Sequence, residues 1–379
     1  VKVKRSLVFL IVLLVSVGVW AAEPARDTPT SQPAGLPERQ WRAVHLMAWG
    51  TAAGPAGLPS LKRAIAEVLA PLGVNVIIYE VNYHFAYVSH PELRHSVFIT
   101  KAQARELADL CRKHGISLIP QFNCLGHQSW IRKKAVFPLL IQYPELEETP
   151  DVPREQWDSV PRSWCPLHPR VNEIILPMLD ELIEAFQARA FHVGMDEVLV
   201  IGSSKCPRCR SKDPAKLFAQ AVTDLHRHLV REKSLTMLMW GDRLLDERLM
   251  HFGEGWSASR NGTAGAIDLI PKDIIICDWH YSLREDYPSV RYFQRKGFRV
   301  LPASWRNGEA AVALIACAHR EPTNRMLGHL CTTWTLEPGY FARALLGEDA
   351  PADLSPWAVE SAAALRACMT KLDQLSPRR

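Results

Sequence analysis

From Trp41 onward, short apolar runs alternate with amphipathic stretches, about eight strand–helix pairs in all, which places the sequence in the α/β class. The strand-like runs are apolar on both faces, as in a parallel sheet covered by helices. No glycine-rich phosphate loop follows the first of them, which disfavours a doubly wound open sheet. Together these observations predict a single (β/α)8 TIM-type barrel. Of the 379 residues, 47% are hydrophobic and 22% charged, a balance that suits a full globular core and neither a disordered chain nor a disulfide scaffold.

Taken in order, Lys2, Lys4 and Arg5 precede an apolar run, Leu7–Trp20, with a small-residue exit near Ala21. This pattern predicts a signal peptide over residues 1–21 and a periplasmic or secreted protein. The run is shorter than the ~20 residues that span a bilayer, so no stable membrane insertion is expected after processing. Residues 22–40, rich in Pro, Ala, Thr and Ser, predict a flexible leader. The barrel is expected over 41–345.

Within it, Ala43–Trp49 is strand-like and Leu61–Leu72 has helical spacing. Val74–Val81 is a strand rich in β-branched residues, Lys101–His114 a helix ended by Gly115, and Ile116–Phe122 the third strand. Ile175, Leu179, Leu182 and Phe186 mark one face of a helix over Asn172–Gln187. Phe191–Val193 is the fourth strand, followed by a helix over Pro214–Lys233 with proline at its start. Leu235–Trp240, Ile274–Trp279, Phe298–Leu301 and Met326–Trp334 complete the strands, with helices over Tyr287–Lys296 and Glu309–His319. Residues 346–379 are expected to pack a last helix on the outside.

The net charge is +5, and removal of the basic start leaves +2. A nearly neutral chain offers no electrostatic case for nucleic acid or acidic membrane as partner.

Active sites of such barrels lie at the C-terminal strand ends. There the sequence places Trp49, Trp240, Trp279, Trp305 and Trp334, with His127, Asp196, Glu197, Asp242, Asp278 and Tyr281 between them. Flat rings cover the apolar faces of a pyranose, and carboxylates bind hydroxyls and supply acid or base. The expected partner is therefore a carbohydrate substrate, with no cofactor and no metal.

The sharpest local feature is the run from Phe191 to Glu197, a strand leading straight into adjacent acids. Glycosidases usually set two carboxyls across the scissile bond, ~5–5.5 Å apart for retention and ~6.5–9.5 Å for inversion. Neighbours on one strand end straddle a bond poorly. Either another strand supplies the second carboxylate, or the substrate supplies its own nucleophile.

At this motif the sequence resembles the family 20 glycoside hydrolases, the β-N-acetylhexosaminidases. Their H-x-G-G-D-E is similar to His192-Val193-Gly194-Met195-Asp196-Glu197, and their G-I-x-x-I-P-E-x-D-x-P-G-H to Gly115 through His127. Arg42, Cys165-Pro166 with Pro169, Trp240-Gly241-Asp242, Asp278 and Trp334 resemble further family positions, so the likeness spans roughly residues 42–335. The resemblance implies substrate-assisted retention. Glu197 protonates the leaving oxygen, Asp196 orients the 2-acetamido group whose carbonyl attacks the anomeric carbon, and His127 hydrogen-bonds the acid. The matched positions, together with the strand-end residues Trp279, Tyr281 and Trp305, give an expected sugar-binding set of Arg42, Trp240, Asp242, Asp278, Trp279, Tyr281, Trp305 and Trp334.

Departures stand beside these matches. Met195 replaces a glycine, Gln121 and Asn123 replace a glutamate and an aspartate, and Leu125 replaces a proline. Glu80-Val81-Asn82-Tyr83-His84 stands where the family carries an acidic H-L-T-D-D, which would deprive His127 of its usual carboxylate. The tyrosine that contacts the acetamido oxygen would fall near Ile276 and is missing or displaced to Tyr281. Leu336 replaces a sugar-binding glutamate, with Glu337 adjacent. Only a short leader precedes Trp41, so no small α/β domain is expected before the barrel.

Cys206 and Cys209 form a Cys-x-x-Cys pair, open to a local disulfide or free thiols, a structural metal, or redox chemistry. His226 and His228, two apart, are expected on different, exposed sides of a helix, and His45 reads as a core histidine. Two other functions remain open: a carbohydrate-binding protein of weak activity on the same barrel, and a metal-dependent barrel hydrolase using His127, Asp196 and Asp242.

Overall fold

Eight parallel strands close on themselves in sequence order: β1 (Trp41–Met47), β2 (Val76–Glu80), β3 (Ser117–Cys124), β4 (Ala190–Gly194), β5 (Thr236–Trp240), β6 (Ile275–Trp279), β7 (Arg299–Ser304) and β8 (Gly328–Cys331), which pairs back with β1. The computed structural model describes residues 36–37, 40–48, 57–129, 137–149, 161–253, 255–320, 323–334, 337–348 and 356–375. The expected signal peptide, most of the leader, Trp49 and Leu336 lie outside the described residues.

Alternation along each strand divides the core in two. Ala43, Val76, Ile78, Ile119, Leu238, Ile275, Cys277, Leu301 and Leu330 fill the barrel interior. Val44, Leu46, Ile77, Phe191, Val193, Met237, Ile276 and Val300 face outward under the helices. Burial on both faces makes the strands nearly continuous apolar runs.

The helices begin where the chain offers caps. Proline opens α1 (Leu58–Ala64) within its first two residues, and does the same for α3 (Pro169–Phe186), α4 (Pro214–His226) and α5 (Pro288–Arg295). Thr100 and Gln103 form a reciprocal capping box at the start of α2 (Lys101–Lys113). Asn307 caps α6 (Gly308–Ala318), accepting from Ala310 N. After β8 come α7 (Pro338–Leu346) and α8 (Pro356–Leu375), the latter packed on α6 and β8. No described helix is long and apolar enough to cross a membrane.

Three features differ from expectation. First, α1 and α4 each run into a π-helical turn, at Ile65–Leu69 and Arg227–Glu232. Second, between β5 and β6, where the sequence reading assigns no helix, the chain forms the short helix Glu247–Met250 and the 3₁₀ turn Thr263–Asp268. Third, His226 and His228 do face different sides, but both sides are covered. His226 Nε2 lies 2.8 Å from Asp273 Oδ1, and His228 Nε2 lies 2.8 Å from Asp180 Oδ1 on α3. Periodicity predicts which way a side chain points, and a neighbouring element decides whether it meets water there.

Candidate active site

The strand register sets Met47, Glu80 and Gln121 side by side at the C-terminal ends of β1, β2 and β3. Glu80 is buried and faces inward, and each of its oxygens has two partners. Oε1 accepts from Asn82 Nδ2 (2.8 Å) and Asn123 Nδ2 (3.2 Å); Oε2 meets His45 Nε2 (3.0 Å) and Gln121 Nε2 (2.9 Å). A buried carboxylate with four partners has the hydrogen bonds that burial demands. Acids at 121 and 123 would crowd three carboxylates together, so the amides at those positions fit the glutamate on β2. The buried, bonded His45 fits its reading as a core histidine.

β3 and β4 approach closely where their register shifts between Gln121 and Cys124. A Cβ on Gly194 would lie 2.2 Å from Asn123 Oδ1, and its φ is +68°, so glycine is required there. The chain then turns sharply. Five of the nine described non-glycine residues with left-handed φ are Asn82, Leu125, His127, Met195 and Glu197, all in the segments around this mouth. Strain of this kind costs on the order of 1 kcal/mol or more per residue, and here it aims side chains inward.

His127 Nε2 sits 3.2 Å from Asp196 Oδ2 and 3.4 Å from Glu197 Oε2. Both acids reach one nitrogen, so they share one side of the cavity. Burial alone would depress the His127 pKa, but Asp196 and Glu197 outweigh it and hold it well above the usual histidine value. The two acids thus favour the protonated imidazole, and they differ in origin from the carboxylate partner the resemblance supplies. Asp196 Oδ1 is buried and accepts no hydrogen bond among the described residues. Glu197 is more open, its side chain 21% exposed.

Behind Glu197, Asp242 Oδ2 accepts from the Glu197 backbone N–H (2.9 Å) and from Arg243 Nε (2.6 Å). Burial pushes the Asp242 carboxyl up to about 6, against the opposing pull of Arg243.

The other side of the mouth is aromatic. Trp279 stacks on Tyr281 at 5.0 Å and 21°, and Tyr281 meets Trp305 edge-on at 5.7 Å. Trp334 donates its indole N–H to the Tyr281 hydroxyl, whose pKa burial raises well above the usual phenol value. Glu80, His127, Asp196, Glu197 and these four rings line one cavity of about 210 Å³. At about 30 Å³ per water that is the room of about seven waters, the scale of a single sugar residue.

Of the expected site residues, the fold brings together His127, Asp196, Glu197, Trp279, Tyr281, Trp305 and Trp334. Four others need correction. Arg42 lies at the opposite end of the barrel, at the start of β1, where it pairs with Asp373 (3.0 Å) and donates to Leu72 O and Met369 O. Trp240 is fully buried beneath the cavity, against His45, His192 and Trp334. Asp242 stands behind the Glu197 backbone and does not line the cavity. It turns its oxygens to Glu197, Arg243 and Trp279, which also separates it from the metal set proposed with His127 and Asp196. Asp278 has outward parity on β6 and accepts from Ser289 Oγ of α5 at 2.7 Å.

Glu80, Asn82, Asn123, Met47 and Phe137 line the cavity without having been expected there. Only Glu80 carried a signal, as an acid closing an otherwise apolar strand.

The catalytic-domain model of glycosyl hydrolase family 20 matches residues 80–306, more than half of the chain. The chain belongs to this family. Among curated family 20 relatives, hexosaminidase D of Bos taurus is 26% identical over 192 residues, 48% of this chain and 51% of that protein. A β-hexosaminidase of Akkermansia muciniphila is 29% identical over 117 residues, 31% of this chain and 22% of that one. Of these curated relatives the match therefore spans about half the length or less. Among solved structures, the chitobiase of Flavobacterium johnsoniae superposes with a TM-score of 0.57 at 18% identity, covering 89% of this chain and 52% of that one. A β-N-acetylhexosaminidase of Bacteroides fragilis gives 0.57 at 15%, covering 86% and 66%. At these identities the structures share the fold of the family's barrel.

Proposed function

We propose that this family 20 chain is a retaining β-N-acetylhexosaminidase that removes terminal N-acetylhexosamine from a glycan or oligosaccharide. The observation that carries the reading is the unsatisfied Asp196 Oδ1, buried beside Glu197 in a cavity of single-sugar size. A buried acceptor without a donor is costly, and a substrate N–H would satisfy it. Asp196 would thus hold the 2-acetamido nitrogen while its carbonyl oxygen attacks the anomeric carbon. Glu197 would protonate the leaving oxygen, and His127 would position both acids. Tyr281 is suited to the acetamido oxygen, and Trp279, Trp305 and Trp334 to the sugar faces.

The placement of carboxylates supports substrate assistance over an enzyme nucleophile. Asp196 and Glu197 share one side, and Glu80, the third acid in the cavity, is held by four donors. The N-terminal run further suggests export, with residues 1–21 as signal, 22–40 as leader, 41–345 as the catalytic barrel and 346–379 as an extension packed on it.

The test is release of aglycone from aryl N-acetyl-β-glucosaminide and galactosaminide by the wild-type chain, with the β anomer as first product by NMR. Sugar binding without cleavage would overturn the proposal in favour of a carbohydrate-binding protein.

A further inference from the structure

Cys165 lies just before α3, and Cys206 and Cys209 lie in the loop after the catalytic strand β4. The fold brings Cys165 to that Cys-x-x-Cys pair, although it stands 41 residues before Cys206. Cys165 Sγ is 3.4 Å from Cys209 Sγ and 3.5 Å from Cys206 Sγ. A carboxylate oxygen of Glu148 completes the group, with all four ligand atoms within 4.8 Å of one another and every residue buried. Glu148 Oε1 accepts from Ser203 N at 3.1 Å. Its Oε2 is buried without a nitrogen or oxygen donor among the described residues, with only the Cys209 thiol set against that carboxylate.

We infer that Glu148, Cys165, Cys206 and Cys209 form a structural zinc site separate from the sugar cavity. Tetrahedral zinc with Zn–S bonds of about 2.3 Å sets its sulfurs about 3.8 Å apart, and a disulfide needs about 2.05 Å. The observed spacings lie near the first value. Three thiols also exceed what one disulfide can pair, and a three-sulfur, one-oxygen set suits Zn²⁺. Cys209 N points at Cys206 Sγ at 3.4 Å, a contact that stabilises a thiolate. On binding, each thiol gives its proton to water, the carboxylate remains charged, and no electron is transferred.

The ion would clip together the two loops that flank β4. Cys165 N donates to Leu146 O and Trp164 N to Leu125 O, two residues before His127, so this clip backs the wall that carries the proposed acid's partner. With four protein ligands the site is closed to substrate, which makes it structural rather than catalytic.

The full chain, purified from zinc-supplemented medium and desalted, should contain about one zinc by plasma mass spectrometry. Cobalt chloride added to metal-free protein should give thiolate-to-cobalt charge-transfer absorption. Cys206→Ser with Cys209→Ser should retain less than a tenth of the zinc. Glu148→Gln, a milder change that keeps all three thiols, should weaken zinc binding at least tenfold in competition with a chromophoric chelator. Reduced wild-type protein that takes up no zinc chloride would overturn the inference, as would thiol counting that finds two of the three cysteines joined in a disulfide. Metal content is read without substrate. Inactive protein holding one zinc would therefore count against the glycosidase reading alone, and active protein lacking zinc against the zinc site alone.

Discussion

On the β2–β4 side of the mouth, Glu80, Asn82, Gln121, Asn123, His127, Asp196 and Glu197 hold one another through short polar contacts. On the β6–β8 side, Trp279, Tyr281, Trp305 and Trp334 present rings with few charges. The polar side is over-determined, since a slipped strand or an altered charge would leave several buried groups unpaired. The aromatic side is held by area and ring contact, which tolerate change better. Under the proposed function, chemistry that depends on the position of a proton would belong on the first side, and affinity for a sugar face on the second.

The comparison breaks first at Glu197. Glu197→Gln should lower kcat about 10²–10⁴-fold on an aryl N-acetyl-β-glucosaminide, with KM little changed, because the loss falls on proton transfer. Asp196→Asn should lower kcat about 10²–10³-fold, since in the proposed mechanism it removes the charge set against the acetamido N–H as positive charge develops on that group. Wild-type turnover in a well-folded Glu197→Gln variant would remove Glu197 from the acid's role. On the aromatic side, Trp305→Ala should instead raise KM about five- to tenfold and leave kcat within about threefold, the loss of roughly 1 kcal/mol of stacking. A kcat loss as large as that of Asp196→Asn would abolish the division of labour.

How far this division was legible beforehand follows from the same residues. Tryptophans at strand ends are conspicuous, and the barrel itself follows from strands apolar on both faces, so the aromatic side and the fold could be read directly. The acidic pair was visible because adjacent carboxylates rarely end a buried strand. Likeness of position misleads in two ways: Arg42 opens β1 and so lies at the end of the barrel away from the cavity, and Asp278 takes the wrong parity on its strand. On β6 the odd-numbered residues Ile275, Cys277 and Trp279 face inward, which already sends Asp278 the other way. The network around Glu80 was not legible, because it depends on which residues of neighbouring strands stand in register. The gathering of Cys165 with Cys206 and Cys209 needed the loops' path in space.

Stability offers the next test of the polar side. Glu80→Gln keeps the shape but removes the charge that four donors share, and should cost about 1.5–3 kcal/mol in urea unfolding. The same exchange at exposed Glu360 should cost about 0.5 kcal/mol or less. Acidity gives a smaller signal. The His127 pKa is raised on folding, so its contribution to stability is fully present below its unfolded value of about 6.5 and is lost as pH rises through the folded value. His127→Gln should therefore cost more stability at pH 6 than at pH 10, a difference on the order of 1 kcal/mol. A constant difference across that range would mean that the imidazole is not cationic in the fold.

The smallest effect is the one that separates alternation from likeness of position. Asp278 Oδ2 accepts from Ser289 Oγ, and its Oδ1 lies 3.2 Å from His280 Nε2, both on the helix-facing side of β6. Asn at 278 keeps an acceptor for Ser289 and loses only the charge opposite His280. Asp278→Asn should thus leave KM and kcat within about twofold and shift stability by about 1 kcal/mol or less. If β6 were turned by one residue, Asp278 would enter the cavity and Trp279 would leave it. The same substitution would then raise KM tenfold or more, and the aromatic side would contain an acid after all. A twofold change decides for the alternation because the two orientations share no intermediate: a strand side chain faces the barrel's interior or its helices.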